Sequence, residues 1–172
     1  MKTRQLALTG LMIALVFVIT RYFQVPIPQT KGYFNLGEAG IYMAAVLFGP
    51  RVAALAGGIG SALADLTSGA SQFALFTLLI KGVEGLLVGL IAAGGRRPGA
   101  RRGQMRARVL GMLLGGLVMV VGYFVTEAFL LGLGIPAALV EVPYNVVQVA
   151  VGAVAGLVAS AAVERALPGL AR

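Results

Sequence analysis

From Val109 to Leu133 the chain reads VLGMLLGGLVMVVGYFVTEAFLLGL, 25 residues interrupted by a single charge. A helix of about 20 apolar residues crosses the roughly 30 Å hydrocarbon layer of a bilayer. Runs of this kind recur along the chain, near 5–23, 35–49, 51–67, 73–93, 108–132 and 140–163. The second and third are short and meet at Gly49-Pro50-Arg51, which reads as a tight helical hairpin. A soluble domain is about half apolar and a quarter charged, whereas this chain is 59% hydrophobic and 12% charged. The expectation is one domain over 1–172: an all-α integral membrane protein, a bundle of six transmembrane helices.

The N-terminal MKTRQLALTGLMIALVFVI has the basic start and apolar run of a signal peptide. Five more apolar segments follow it, so it reads as the first span. Six spans place both termini on one side. All but three of the 14 basic residues then share that side, namely Lys2, Arg4, Arg51, Arg96, Arg97, Arg101, Arg102, Arg106, Arg108, Arg165 and Arg172. Arg21 and Lys31 fall outside and Lys81 lies within a span, so both termini are expected in the cytoplasm. The net charge of +8 sits in short segments beside apolar spans and speaks for anionic lipid or a cytoplasmic partner, not for nucleic acid.

Most of the polar residues fall towards the opposite side. Tyr33, Asn35, Glu38, Asp65, Gln72, Tyr123, Glu127, Glu141, Tyr144, Asn145 and Gln148 all map to the outer half or outer loops. Lys81 and Glu84, in TLLIKGVEGLLVG, are the deeper pair and can neutralise one another. Ionisable groups in a bilayer cost a few kcal/mol each, so they face a cavity or one another. Their clustering predicts a polar pocket open to the outside. Asn145 and Gln148 share a helix face at i and i+3, and each amide offers both donors and acceptors to a heterocycle. Interhelical hydrogen bonding is the plainer role for the same groups. Pro143 suits the first turn of a helix, and Glu127 has no evident local partner.

Small residues four apart recur along the spans: Gly10 and Ala14, Gly57 and Ser61, Gly60 and Ala64, Gly85 and Gly89, Gly111 and Gly115, Gly152 and Gly156. Such faces let helices pack closely. The chain has no Cys and no His, which removes thiolate metal sites and the commonest general base. It also lacks a P-loop motif. No catalytic residues, cofactor or metal are expected, and the chain does not read as an enzyme.

Three blocks, YFNLGEAGIYMAAVLFGPRVAALAGGIGSALADLTSG, FTLLIKGVEGLLVGLIA and EVPYNVVQVAVGAVAG, together resemble the substrate-binding S components of energy-coupling factor (ECF) vitamin importers, nearest to the riboflavin-type group. The resemblance runs from the first span through the sixth. It implies a six-helix bundle in a bacterial-type cell membrane, with a B vitamin bound near the outer surface under the loop at Gln24 to Phe34. It also implies a separate transmembrane coupling subunit and two ATPase subunits, with Gly10 and Ala14 on the first helix as the coupling contact. Riboflavin-type members carry an Asn followed three residues later by a Lys in the last helix. The matching pair here is Asn145 and Gln148, which keeps the hydrogen bonding and loses the charge. Substrate contacts are expected from Asn145, Gln148, Glu127, Tyr123, Tyr144, Asn35, Lys81 and Glu84. Riboflavin is the first choice of ligand, and pyridoxine or the pyrimidine of thiamine the alternative. Two rivals of another class are a six-helix membrane scaffold and a solitary ion-coupled transporter.

Overall fold

The computed structural model describes residues 3–95 and 101–169. Lys2, Arg96, Arg97 and Arg172, which entered the orientation argument, lie outside the described residues. The order of elements is α1 (Thr3–Tyr22), β1 (Gln24–Ile27), β2 (Gly32–Asn35), α2 (Gly37–Phe48), α3 (Pro50–Ser68), α4 (Ala74–Gly94), α5 (Arg101–Val125) and α6 (Ile135–Ala166). A 3-10 turn at Ser71–Phe73 leads into α4, and a π-helical turn at Thr126–Leu130 extends α5.

Among the described residues four stretches are long and apolar enough to cross a bilayer: Thr3–Tyr22, Ser71–Gly94, Arg102–Leu130 and Ile135–Ala166. α2 is apolar but has only 12 residues, about 18 Å of helix. α3 has 19 residues, begins at Pro50-Arg51 and carries Asp65 near its end. The α2–α3 hairpin turns at Gly49, whose φ of 88° is a conformation that favours glycine. Pro50 then opens α3, where its missing N–H costs nothing.

Three expectations are corrected. The fold is not purely helical, because the loop after α1 is an antiparallel hairpin pairing Gln24 with Asn35 and Ile27 with Gly32. With only two strands, each is an edge, so Pro26 removes no interior ladder bond. The fifth helix, expected near 108–132, starts at Arg101, so Arg101, Arg102 and Arg106 belong to the first turns of α5. Finally, α6 starts at Ile135 and not near 140, because Gly134, with φ 86°, breaks the chain and Pro136 opens the helix. Pro143 is therefore inside α6, where it leaves the Leu139 carbonyl without its helical donor.

Lipid is as apolar as a helix surface, so contact geometry has to hold such a bundle together. The glycines supply it. A Cβ at Gly57 would lie 2.7 Å from the Lys81 carbonyl oxygen, and one at Gly85 would lie 2.5 Å from that of Ala53, so α3 and α4 meet backbone to backbone. Gly60 faces the Ile13 carbonyl of α1, and Gly156 faces Tyr42 of α2. Gly10 is the exception among the paired small residues. Nothing stands within 4 Å of its Cβ direction, and Gly10 and Ala14 are both exposed on α1. α2 is the most enclosed helix, with Ile41, Tyr42, Ala44 and Ala45 inaccessible. Leucines at 75, 79, 86 and 90 of α4 are exposed, as a lipid-facing surface requires.

Candidate functional site

One face of α6 carries Glu141, Asn145, Gln148, Gly152, Gly156 and Ser160, all buried. These positions follow the helical repeat, so they form a single stripe. Its inner half is small and packs on α2, with Gly152 against Glu38 and Gly156 against Tyr42. Its outer half is polar and borders a cavity. Thr20, Gly32, Tyr33, Asn35, Ser61, Asp65, Phe73, Thr77, Lys81, Tyr123, Glu141, Asn145 and Gln148 line that cavity, so α1, β2, α3, α4, α5 and α6 all contribute.

The hairpin β1–β2 roofs it and is tied down by the lining itself. The Tyr33 hydroxyl donates to Asp65 Oδ1 on α3, and the Thr30 hydroxyl donates to Glu141 Oε2 on α6. The Asn35 N–H donates to Gln148 Oε1 at 2.6 Å. Burial, reinforced by the charge of Asp65, pushes the Tyr33 phenol well above its usual range, so it stays a donor at every physiological pH.

Beneath the cavity lies a buried charge cluster. The Lys81 ammonium pairs with Glu38 of α2 and, at 3.1 Å, with Glu84 one turn along α4. Tyr42 donates to the other oxygen of Glu84 at 2.8 Å. The expected Lys81–Glu84 neutralisation is thus real but incomplete, because Glu38 is the second partner. Lys81 Nζ also stands 5.6 Å from the centroid of the Tyr123 ring, within range of a cation–π contact. The Tyr123 hydroxyl lies 3.0 Å from Thr77 Oγ1.

The residues expected at the site divide clearly. Asn35, Lys81, Tyr123, Asn145 and Gln148 come together around the cavity. Glu84 does not line it and serves the cluster below. Glu127 is fully buried in the π-helical turn, faces Glu141, and is absent from the lining. Tyr144 points elsewhere, onto an apolar crevice with Val25, Phe34, Pro143 and Val147. Thr20, Ser61 and Thr77 were not anticipated, although Ser61 with Asp65 and Thr77 with Lys81 stand at i and i+4, a spacing that marks them in retrospect.

Three groups of the lining have unspent hydrogen-bonding capacity, one of them the buried Thr20 hydroxyl. The Asn145 side chain is 4% exposed and, among the described residues, makes no side-chain hydrogen bond. Asp65 Oδ2 is buried without a regular partner. An amide beside a carboxylate can accept from an amino group and at the same time donate to a ring nitrogen. Free space inside the cavity is about 30 Å³, room for about two waters. Ligand pockets typically enclose about 300–1,000 Å³, so a ligand enters only if part of the lining moves.

Comparison with known proteins now bears on this geometry. Residues 1–165 match the family model described as the S component of ECF-type riboflavin transporters. The chain is 39% identical over 163 residues to the thiamine precursor transporter HmpT of Lactococcus lactis subsp. cremoris, covering 94% of this chain and 89% of that protein. It is 43% identical over 141 residues to an uncharacterized protein of Pyrococcus woesei, covering 82% and 88% respectively. A solved S component of a bacterial ECF transporter superposes with a TM-score of 0.71, over 97% of this chain and 99% of that one, at 14% identity. That last similarity is one of fold.

Proposed function

The chain belongs to the ECF-type riboflavin transporter S-component family, and we propose that its outer cavity binds a single-ring vitamin heterocycle of the thiamine-pyrimidine class. An S component is an integral protein of the plasma membrane that takes part in vitamin transport, and it is not an enzyme. The observation that carries the ligand reading is that the buried Asn145 amide, without a side-chain hydrogen bond, and the free Oδ2 of Asp65 line one small polar cavity. An aminopyrimidine presents a donor next to a ring acceptor, the complement of a primary amide. Gln148 stands where the riboflavin-type pattern has a cation, and the name of the Lactococcus relative favours the same ligand class. Riboflavin, the first choice from sequence, becomes the second reading. The description of the matched family favours it, and its three-ring system requires the hairpin to move further.

In this reading the hairpin lifts to admit the ligand and closes again over it: Asn145 gains a partner, and Asp65 offers its free Oδ2 while Oδ1 takes back the Tyr33 hydroxyl. Lys81 forms the floor of the site, Glu84 and Glu127 support it from outside the lining, and Tyr144, on its apolar crevice, takes no part. The chain crosses the membrane six times with both termini cytoplasmic. It works with a coupling subunit and two ATPases, and the open face of α1 at Gly10 and Ala14 receives the coupling subunit.

The test is mass spectrometry and absorbance on the protein purified in detergent, followed by titration with the aminopyrimidine, pyridoxine and riboflavin. A colourless preparation that binds the pyrimidine, with affinity reduced at least tenfold in Asn145→Ala, is the expected result. A yellow preparation transfers the site to riboflavin. Failure to bind any of the three returns the molecule to the scaffold reading. Because the chain has no Cys, single cysteines report topology directly: Lys31→Cys is expected to label from outside intact cells and Arg106→Cys only after permeabilisation.

A further inference from the structure

A second cavity lies between α5 and α6, on a different face of α6 from Asn145 and Gln148. It has about 370 Å³ of free space and an almost wholly apolar lining that includes Val109, Met112 and Leu113 of α5 with Ala150, Ala153 and Leu157 of α6. The helices touch along its outer part, where a Cβ on Gly116 would meet Val149 Cγ2 at 2.9 Å, and Val149 and Val146 also line it. Below it the Arg108 guanidinium donates to Glu164 Oε1 at 2.6 Å and ties the helices again. Leu113 and Val154 on the rims are 62% and 66% exposed, so the groove opens sideways towards the acyl layer.

Charge at its lower end is one-sided. Arg102, Arg106, Val109 and Leu113 fall on one stripe of α5, since 102, 106, 109 and 113 step by four, three and four. Arg165 lies eight residues beyond Leu157, near the same side of α6. Arg102, Arg106 and Arg165 are exposed. Of the six acidic residues in the chain, only Glu164 belongs to this end, and Arg108 already holds it.

We propose that this groove is a binding site for an anionic phospholipid, with one acyl chain seated between α5 and α6 and the phosphate against Arg102, Arg106 and Arg165. An apolar slot open to the bilayer fits a hydrocarbon chain, and a cationic rim at its mouth fits a phosphate headgroup. The one-sided charge selects an anionic lipid over a zwitterionic one. This site is independent of the identity of the vitamin.

Native mass spectrometry of the full chain in detergent, titrated with phosphatidylglycerol and with phosphatidylcholine of the same acyl chains, tests it. Phosphatidylglycerol is expected to bind with clear preference, weakening roughly fivefold for each arginine among Arg102, Arg106 and Arg165 changed to Gln. Ala153→Phe, which fills the groove and leaves every arginine in place, is expected to abolish that preference. Ala150→Leu is the milder filler should Ala153→Phe fail to fold. Equal binding of the two lipids overturns the proposal, as does phosphatidylglycerol binding untouched by the folded filler variant. Displacement of the lipid by glycerol 3-phosphate would reduce the site to a headgroup contact and overturn the acyl seat. A dimer abolished by the filler variant would assign the groove to a second copy instead.

Discussion

Removing the Lys81 ammonium gives the sharpest test of how the floor of the cavity is built. Lys81 and its partners Glu38 and Glu84 are at most 2% exposed, and the lysine is the cation between the two acids. In Lys81→Met the Glu84 carboxylate keeps the Tyr42 hydroxyl at 2.8 Å. Glu38 keeps nothing, since its second oxygen is already without a partner. Breaking a buried pair by deleting one member costs about 3–5 kcal/mol, because an uncompensated charge remains. For a chain of this size that corresponds to a fall of roughly 6–20 °C in the thermal midpoint. Replacing the stranded acid as well, in Lys81→Met/Glu38→Gln, should recover more than half of the loss. The assay is the thermal unfolding midpoint of the purified protein in one detergent, with vitamin binding measured on the same samples. A single variant as stable as the parent would refute the reasoning, and so would a double variant no better than the single.

Gly85→Val is expected to prevent stable packing of α3 on α4, because its Cβ would meet the Ala53 carbonyl oxygen at 2.5 Å; a loss of monodisperse protein on size exclusion would register this. Gly10→Leu, with nothing within 4 Å, should leave folding and vitamin binding unchanged while lowering transport and co-purification with the coupling subunit. Tyr33→Phe removes the hairpin's tie to Asp65, worth about 1.5–3 kcal/mol for a charged acceptor, and should speed vitamin release more than tenfold in a stopped-flow chase. Because the folded Tyr33 pKa is raised, the neutral phenol's contribution is complete below pH 10 and is lost only as pH rises through the higher folded value. Absorbance at the phenolate wavelength should therefore show Tyr33 still protonated at pH 10, by difference from Tyr33→Phe.

The long apolar helices were legible from the sequence because a bilayer-spanning run has a characteristic length and composition. The α2–α3 hairpin could be read from Gly49-Pro50-Arg51 alone. The start of α6 could not, because Pro143 looks like an N-terminal proline and Pro136 holds that place. The short strands escaped notice too, since QVPIPQ carries two prolines and no alternation long enough to announce a strand. At the site, Asn145, Gln148 and Lys81 stood out as polar residues in apolar helices, which have to face something. What they face depends on helix rotation. Glu127 and Tyr144 are as conspicuous in the sequence as Asn145, yet one turns into the α5–α6 contact and the other onto an apolar crevice. Thr20, Ser61 and Thr77 were silent for the opposite reason, since a hydroxyl in an apolar helix can satisfy itself on the backbone of the preceding turn.

The three ties that fasten the hairpin end on Asp65, Glu141 and Gln148, and all three acceptors also line the cavity. In the proposed site, substitution at any of them is therefore expected to alter two properties at once: which molecule is recognised, and how long the roof stays shut over it. A lineage of such binders cannot drift to a new nutrient at these positions while holding its exchange rate fixed. Divergence in selectivity has to travel with divergence in tempo, unless it is confined to lining residues such as Asn145 and Thr77 that make no hydrogen bond to the roof.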